Sequence, residues 1–145
     1  MLSFRNIDVD RDAAIDEWPP QAIEILIDRG TICDWRRLAA AIRANPWGAA
    51  ARTAETVISW DEHYGIDRAL ESVIRHARED LARRGRERYA LQIRAWRAAT
   101  GLSLREFARA AGTSPPRLSD YEHAKVAPTT DVLARLEHVS STYAA

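Results

Sequence analysis

Two helix-start signals stand only eleven residues apart in the C-terminal third of the chain, at Ser103 and Ser114. That spacing leaves room for a helix of fewer than ten residues, a tight turn and a second helix. Ser103 is followed three residues later by Glu106, the reciprocal capping pattern in which each side chain takes the other residue's backbone N–H. Ser114 is followed by Pro115, and proline costs nothing in a first turn, where its missing N–H has no intrahelical partner. Gly112 lies between the two signals, where the chain must turn and a residue at positive φ is wanted. Upstream, Tyr89, Ile93 and Trp96 recur at i, i+4 and i+7, which predicts a helix ending at Gly101. Phe107, Ala108 and Ala111 give the next helix a small inner face, and Leu118 and Tyr121 point inward from the one after it. Beyond Lys125, a loop through Pro128 leads to a fourth helix packed through Val132, Leu133, Leu136 and Val139.

The rest of the chain also reads as helical. Alternating β-branched runs are absent, and Ala, Arg, Leu and Glu dominate. Residues 1–18 show little periodicity and read as partly extended. A short helix is expected from Pro19 to Arg29, stopped by Gly30, and a second from about Cys33 to Ala44 with Trp35, Leu38, Ala39 and Ile42 on one face. Asn45-Pro46 reads as an N-cap and first helical position for a third helix faced by Ala50, Ala54, Val57 and Ile58. A break is expected around Asp61 to Gly65. A longer helix follows from near Ile66, striped by Ala69, Leu70, Val73, Ile74, Ala77 and Leu81. The charged run Arg83–Arg88, which contains Gly85, is the best boundary, either a hinge or a continuation of one helix. It divides the chain into 1–82, a helical dimerisation or partner-binding region, and 83–145. The fold class is all-α.

Charge separates the same halves. Residues 1–80 hold 10 Arg against 15 Asp and Glu, a net of −5, whereas residues 81–145 hold 10 Arg and one Lys against six acids, a net of +5. A basic part beside an acidic part is the pattern of a nucleic-acid-binding unit on a different body. Several chemistries find no footing. The single cysteine, Cys33, reads as a small buried apolar residue. No Cys/His set has zinc spacing, and Asp61, Glu62 and His63, with His76 beyond, read as solvated residues and not as a metal site. No nucleophile elbow, phosphate-cradling glycine loop or metalloprotease pattern is present. The expectation is a protein that is not an enzyme and uses no cofactor and no metal. Trp35, Trp47 and Trp60 read as core or interface residues, with an effector pocket as a minor alternative. No apolar run nears the ~18 residues of a membrane helix and no signal-peptide core begins the chain, so a cytoplasmic protein is expected.

The stretch from about 89 to 139 resembles the Xre/Cro-type helix-turn-helix family, the lambda-repressor-like fold. The resemblance rests on Gly101-Leu102-Ser103, Glu106-Phe107-Ala108, Gly112-Thr113-Ser114, Leu118-Ser119, Tyr121-Glu122, Lys125 and Pro128 in one ungapped register. It implies that the third helix of the domain enters the major groove of duplex DNA and reads bases from its N-terminal end. Position by position, it implies that Pro115, Pro116, Arg117 and Asp120 face base edges, that Arg105, Thr113, Ser114 and Lys125 lie near phosphates, and that Arg97 and Glu122 form a structural ion pair. The chain departs from the family at Pro115 and Pro116, where long polar residues are usual, at Leu104, where a phosphate-binding residue is usual, and at Ala124, where Gly is usual. Base readout should then fall mainly on Arg117.

The resemblance further implies a sequence-specific transcriptional regulator, a repressor, that binds as a homodimer. Small proteins of this family include antitoxins of type II toxin–antitoxin pairs that autoregulate their operon, and an acidic N-terminal half would suit a basic toxin. The alternative is a stand-alone effector-responsive regulator whose N-terminal half binds a ligand or a non-toxin protein partner.

Overall fold

The structure is a computed structural model that describes residues 9–60 and 65–144. Among these residues every regular element is helical: a single 3-10 turn (Ile15–Glu17), then α1 (Pro20–Arg29), α2 (Ile32–Ala44), α3 (Ala49–Ile58), α4 (Ile66–Thr100), α5 (Leu104–Ala110), α6 (Pro115–Glu122) and α7 (Thr130–Tyr143). The chain divides into two compact units, Met1–Leu81 and Ala82–Ala145. The Arg83–Arg88 run lies inside α4, which continues through Gly85 as helix. The break around Asp61 and the Asp61, Glu62 and His63 group fall on 61–64, outside the described residues, as does the extended reading of 1–8.

The N-terminal unit is built around α1 and α3. Ala22, Ile23, Leu26 and Ile27 of α1 are fully buried, and they meet Ala50, Ala51, Ala54 and Val57 of α3, whose small side chains let the two helices approach closely. Leu38 and Ile42 of α2 and Leu70, Ile74 and Ala77 of α4 close the core, with Ile15 and Trp18 beneath. Thr31 caps α2 reciprocally with Asp34: the Asp34 N–H donates to Thr31 Oγ1 (3.3 Å), and the Thr31 N–H donates to Asp34 Oδ2 (2.9 Å). That backbone donor holds the Asp34 carboxyl below the usual carboxylate range.

Four expectations are corrected. Asn45-Pro46 does not open α3. Asn45 ends α2, Gly48 is the residue before α3, and the helix is capped from elsewhere: Asp16 Oδ1 accepts the Ala50 N–H at 2.9 Å across 34 residues. Cys33 is exposed, because it lies on the solvent side of the first turn of α2. Ala69 and Leu81 of the α4 stripe are exposed, so the buried stripe narrows to Leu70, Ile74 and Ala77, spaced i, i+4 and i+7. In the second half of α4, Ile93 is buried and Trp96 packs against the core as expected, but Tyr89 is 38% exposed and its neighbour Ala90 takes the buried position.

The remote cap yields a direct test. Replacing Asp16 by Ala should destabilise the N-terminal unit by about 1 kcal/mol in denaturant unfolding, the usual loss for a helix cap, whereas Asn, which keeps an acceptor, should cost a few tenths.

Candidate nucleic-acid interface

The C-terminal unit is assembled from the second half of α4 with α5, α6 and α7. Ile93, Phe107, Ala108, Leu118 and Leu136 are fully buried, with Tyr121, Val132 and Val139 around them. Its turns are specified by local chemistry. Gly101, at φ 71°, ends α4, and the Ser103–Glu106 box opens α5: Ser103 Oγ accepts the Glu106 N–H (3.2 Å), and Glu106 Oε2 accepts the Ser103 N–H (2.8 Å). That backbone donor, with the Ser103 hydroxyl second, holds the Glu106 carboxyl below its ordinary range.

Helices α5 and α6 both end in the same device. After α5, the Thr113 N–H donates to Ala108 O (2.9 Å) and the Gly112 N–H to Arg109 O (3.2 Å), with Gly112 at φ 69°. This is a Schellman motif, which needs a left-handed residue. A Cβ on Gly112 would also lie 2.9 Å from Arg135 Nη1, which donates to the Gly112 carbonyl. After α6 the motif repeats: the Lys125 N–H donates to Asp120 O (2.9 Å) and the Ala124 N–H to Tyr121 O (3.2 Å). Here the left-handed residue is Ala124, at φ 57°. Arg86 Nε donates to the Ala124 carbonyl at 3.2 Å, so a residue of the charged boundary run pins this turn. Nothing in the local pattern around Arg86 announces that bond.

Arg97 and Glu122 join α4 to α6. Arg97 Nε donates to Glu122 Oε1 at 2.6 Å and Nη2 to Oε2 at 3.2 Å, a two-bond fork. The Glu122 side chain is only 5% exposed. Its hydrogen bond raises the basicity of the Arg97 guanidinium further.

With Leu118, Tyr121 and Glu122 turned inward, 100° per residue puts Pro116 and Asp120 on the opposite side of α6, with Arg117 on its flank. Pro116 and Arg117 are exposed, and Pro115 and Asp120 are half-buried. Arg105 lies exposed in the first turn of α5, Lys125 is exposed just after α6, Ser114 is exposed and Thr113 is half-buried. Pro115, Pro116, Arg117, Thr113 and Ser114 are thus gathered at the N-terminal end of α6, and Lys125 is at its other end.

The start of α6 differs from an ordinary anion-binding helix start. Such starts offer free backbone N–H groups. Here the first two helical residues are prolines and have none, and the third N–H, of Arg117, is donated to Ser114 Oγ at 3.3 Å. Beside the Ser114 backbone N–H, the hydrogen-bond donors at this end are side-chain ones: the hydroxyls of Thr113 and Ser114 and the guanidinium of Arg117. Ser114 accepts through its oxygen, so its hydroxyl proton remains available to a phosphate.

In the N-terminal unit, Trp47 is 60% exposed, and the Arg78 guanidinium stacks on it at 3.9 Å while also bonding Glu55 (Nη2 to Oε2, 3.1 Å) and the Pro46 carbonyl (2.9 Å). Trp47, Glu55 and Arg78 line an open groove of about 400 Å³ with Glu71 and Ile74. His76 lies on the exposed side of α4, within 3.3 Å of Ser72 Oγ. Among the described residues no group of three His, Cys, Asp or Glu side chains is arranged to hold a metal, and no helix is long and apolar enough to cross a membrane.

Residues 93–139 match the family described as Helix-turn-helix. Neither a curated protein nor a solved structure matches the chain. The matched segment runs from Ile93 of α4 to Val139 of α7 and includes α5 and α6 whole.

Two substitutions test how this unit is held. Ala124→Gly should raise its stability by about 1 kcal/mol, because the Cβ strain of a left-handed residue is removed. Arg97→Ala should lower it by about 3 kcal/mol, because a buried carboxylate loses its partner. Both are read from denaturant unfolding followed by circular dichroism; an unchanged midpoint in either variant would contradict the corresponding cause.

Proposed function

From a C-terminal unit that is an Xre-type helix-turn-helix domain, we propose that this protein is a sequence-specific transcriptional repressor that binds duplex DNA as a homodimer. The observation that carries this reading is the exposed start of α6, with Arg117 and Ser114 open to solvent on a unit of net charge +5. In the proposal α6 enters the major groove. Arg117 donates to a guanine edge, Asp120 accepts from a cytosine amine, and Pro115 and Pro116 make apolar contact with thymine methyls. Arg105, Lys125, Thr113 and Ser114 hold phosphates and fix register without reading sequence. The Arg97–Glu122 pair touches no DNA; it sets the angle of α6. No catalytic step and no cofactor belong to this reading, and the protein works in the cytoplasm beside its operator.

The acidic N-terminal unit, with Trp47 stacked against Arg78 at an open groove, supports a protein-binding role for that half. In the antitoxin form of the proposal the partner is a toxin with a basic active site, and the repressed promoter is the pair's own. A neighbouring reading frame toxic alone and harmless beside this protein would establish that form. A ligand-dependent change in DNA affinity without such a partner would establish the effector-responsive alternative.

Gel shifts against the protein's own upstream region, at several salt concentrations, test the division of roles. Arg117→Ala should relax preference at one base pair, at a cost of about 1–3 kcal/mol for the preferred base. Arg105→Ala should weaken all duplexes alike and lower the salt slope by about 0.9, the share of a single neutralised phosphate. Equal, sequence-independent weakening in both variants would refute the assignment.

A further inference from the structure

The outer side of α4 within the C-terminal unit carries a seam that neither the core nor the DNA-facing surface uses. Glu87, Leu91, Arg94 and Ala98 follow one another at i, i+4, i+7 and i+11, the spacing of a helix–helix seam. All four are exposed, and Leu91 is 63% exposed although Ala90 beside it is buried. Beside this seam lies a groove of about 390 Å³, lined by Glu87, Ala90, Leu91 and Arg94 of α4 and by Glu122, His123 and Ala124 at the end of α6. A leucine this open, beside a groove and between two opposite charges, is an anchor without a pocket to fill in its own chain.

The order of charges selects the occupant. If a second copy of α4 lies antiparallel across a two-fold axis at Leu91, residue numbers on facing positions sum to about twice 91. Leu91 then meets Leu91 of the second copy, and Glu87 faces Arg94 of the second copy on both sides of the axis. A parallel pairing would set Glu87 against Glu87 and Arg94 against Arg94, which repels. Glu87 bonds Arg83 in its own helix at 2.9 Å, but that is an exposed i, i+4 pair, which holds weakly and can be shared or exchanged. Arg94 has no ion pair or hydrogen bond from its side chain to another described residue.

We propose that the Glu87–Leu91–Arg94 seam of α4 is the surface through which two copies of this chain associate as a two-fold dimer, with Leu91 at the axis and reciprocal Glu87–Arg94 pairs flanking it. The inference deepens the homodimer of the preceding reading by giving it a surface and a symmetry. One helix seam buries little area, so the dimer is weak in free solution and is strengthened when adjacent half-sites on DNA hold both copies.

Sedimentation equilibrium of the full chain over a wide concentration range tests this without DNA. The wild type should show a monomer–dimer equilibrium. Leu91→Asp should raise the dimer dissociation constant by about tenfold or more, as removal of a central apolar anchor does. Glu87→Arg and Arg94→Glu, each alone, should raise it by about three- to tenfold by placing like charges across the axis, and the double swap should return it to within about twofold of the wild type. Circular dichroism should be unchanged in all four, since every altered residue is exposed. A chain monomeric at all concentrations overturns the proposal, and so does a dimer indifferent to these changes or a double swap no better than its single parents. Salt-sensitive binding of the same proteins to a mixed-sequence 20-base-pair duplex is read separately. Its absence in the wild type would sink the DNA-binding reading and leave the dimer data standing.

Discussion

The C-terminal unit depends on one buried carboxylate. Glu122 is 5% exposed, and a charge so placed is stable only with a partner that supplies both charge and directed donors. Arg97 supplies them through a two-bond fork, and because a fork is planar it fixes the rotation of α6 about its own axis as well as its distance from α4. Apolar contacts alone would specify this less sharply. Leu118 and Tyr121 would stay buried through a modest roll of α6, but such a roll would pull the carboxylate out of the guanidinium plane. The direction in which Pro116, Arg117 and Asp120 face is therefore set from inside the unit, by a pair that lies on the other side of the helix.

The turns at either end of α6 complete that placement. Each is a Schellman motif, and each presents the residue that follows it: Thr113 and Ser114 at one end, Lys125 at the other. Only one is closed by glycine. At Ala124 the left-handed backbone carries a Cβ, and its strain is offset by the surrounding contacts, among them the Arg86 bond to the Ala124 carbonyl. Arg86 is thereby tied to the position of Lys125, although the two are 39 residues apart in the chain.

How much of the fold is legible in the sequence follows from the range of each interaction. The Ser103–Glu106 box, Gly112, the Ser114–Pro115 start and the inward set Ile93, Phe107, Leu118 and Leu136 are patterns of one to a few residues, and the ungapped family register joins them. Features that depend on partners far along the chain leave no such mark. Asn45-Pro46 has the form of a helix start, but Asp16, 34 residues before Ala50, supplies the cap, and no local pattern shows that. Tyr89 and Ala90 differ by a single 100° step, and apolar periodicity favours the larger side chain over the one that the packed face admits. Cys33 is apolar enough to suggest the core, yet the capping box at Thr31 turns it outward. Arg86 reads as part of a solvated charge run because its acceptor is a backbone carbonyl, which carries no sequence signature.

The paired prolines alter the chemistry of recognition more than their identity alone implies. A helix start normally offers phosphate a set of backbone donors in addition to its dipole. In α6 two of those donors do not exist, and Ser114 has taken the third. In the proposed reading, anchoring to the duplex then falls mostly to side chains whose charge or hydroxyl can be removed one at a time: Ser114, Thr113, Arg105 and Lys125. In exchange, the fixed φ of two successive prolines gives α6 a rigid first turn, so less conformational entropy is surrendered when the tip is held in a groove. In that proposal, a stiff, apolar tip with one cation on its flank suits a site read by shape and a thymine methyl as much as by hydrogen bonds, with the polar readout left to Arg117 and Asp120.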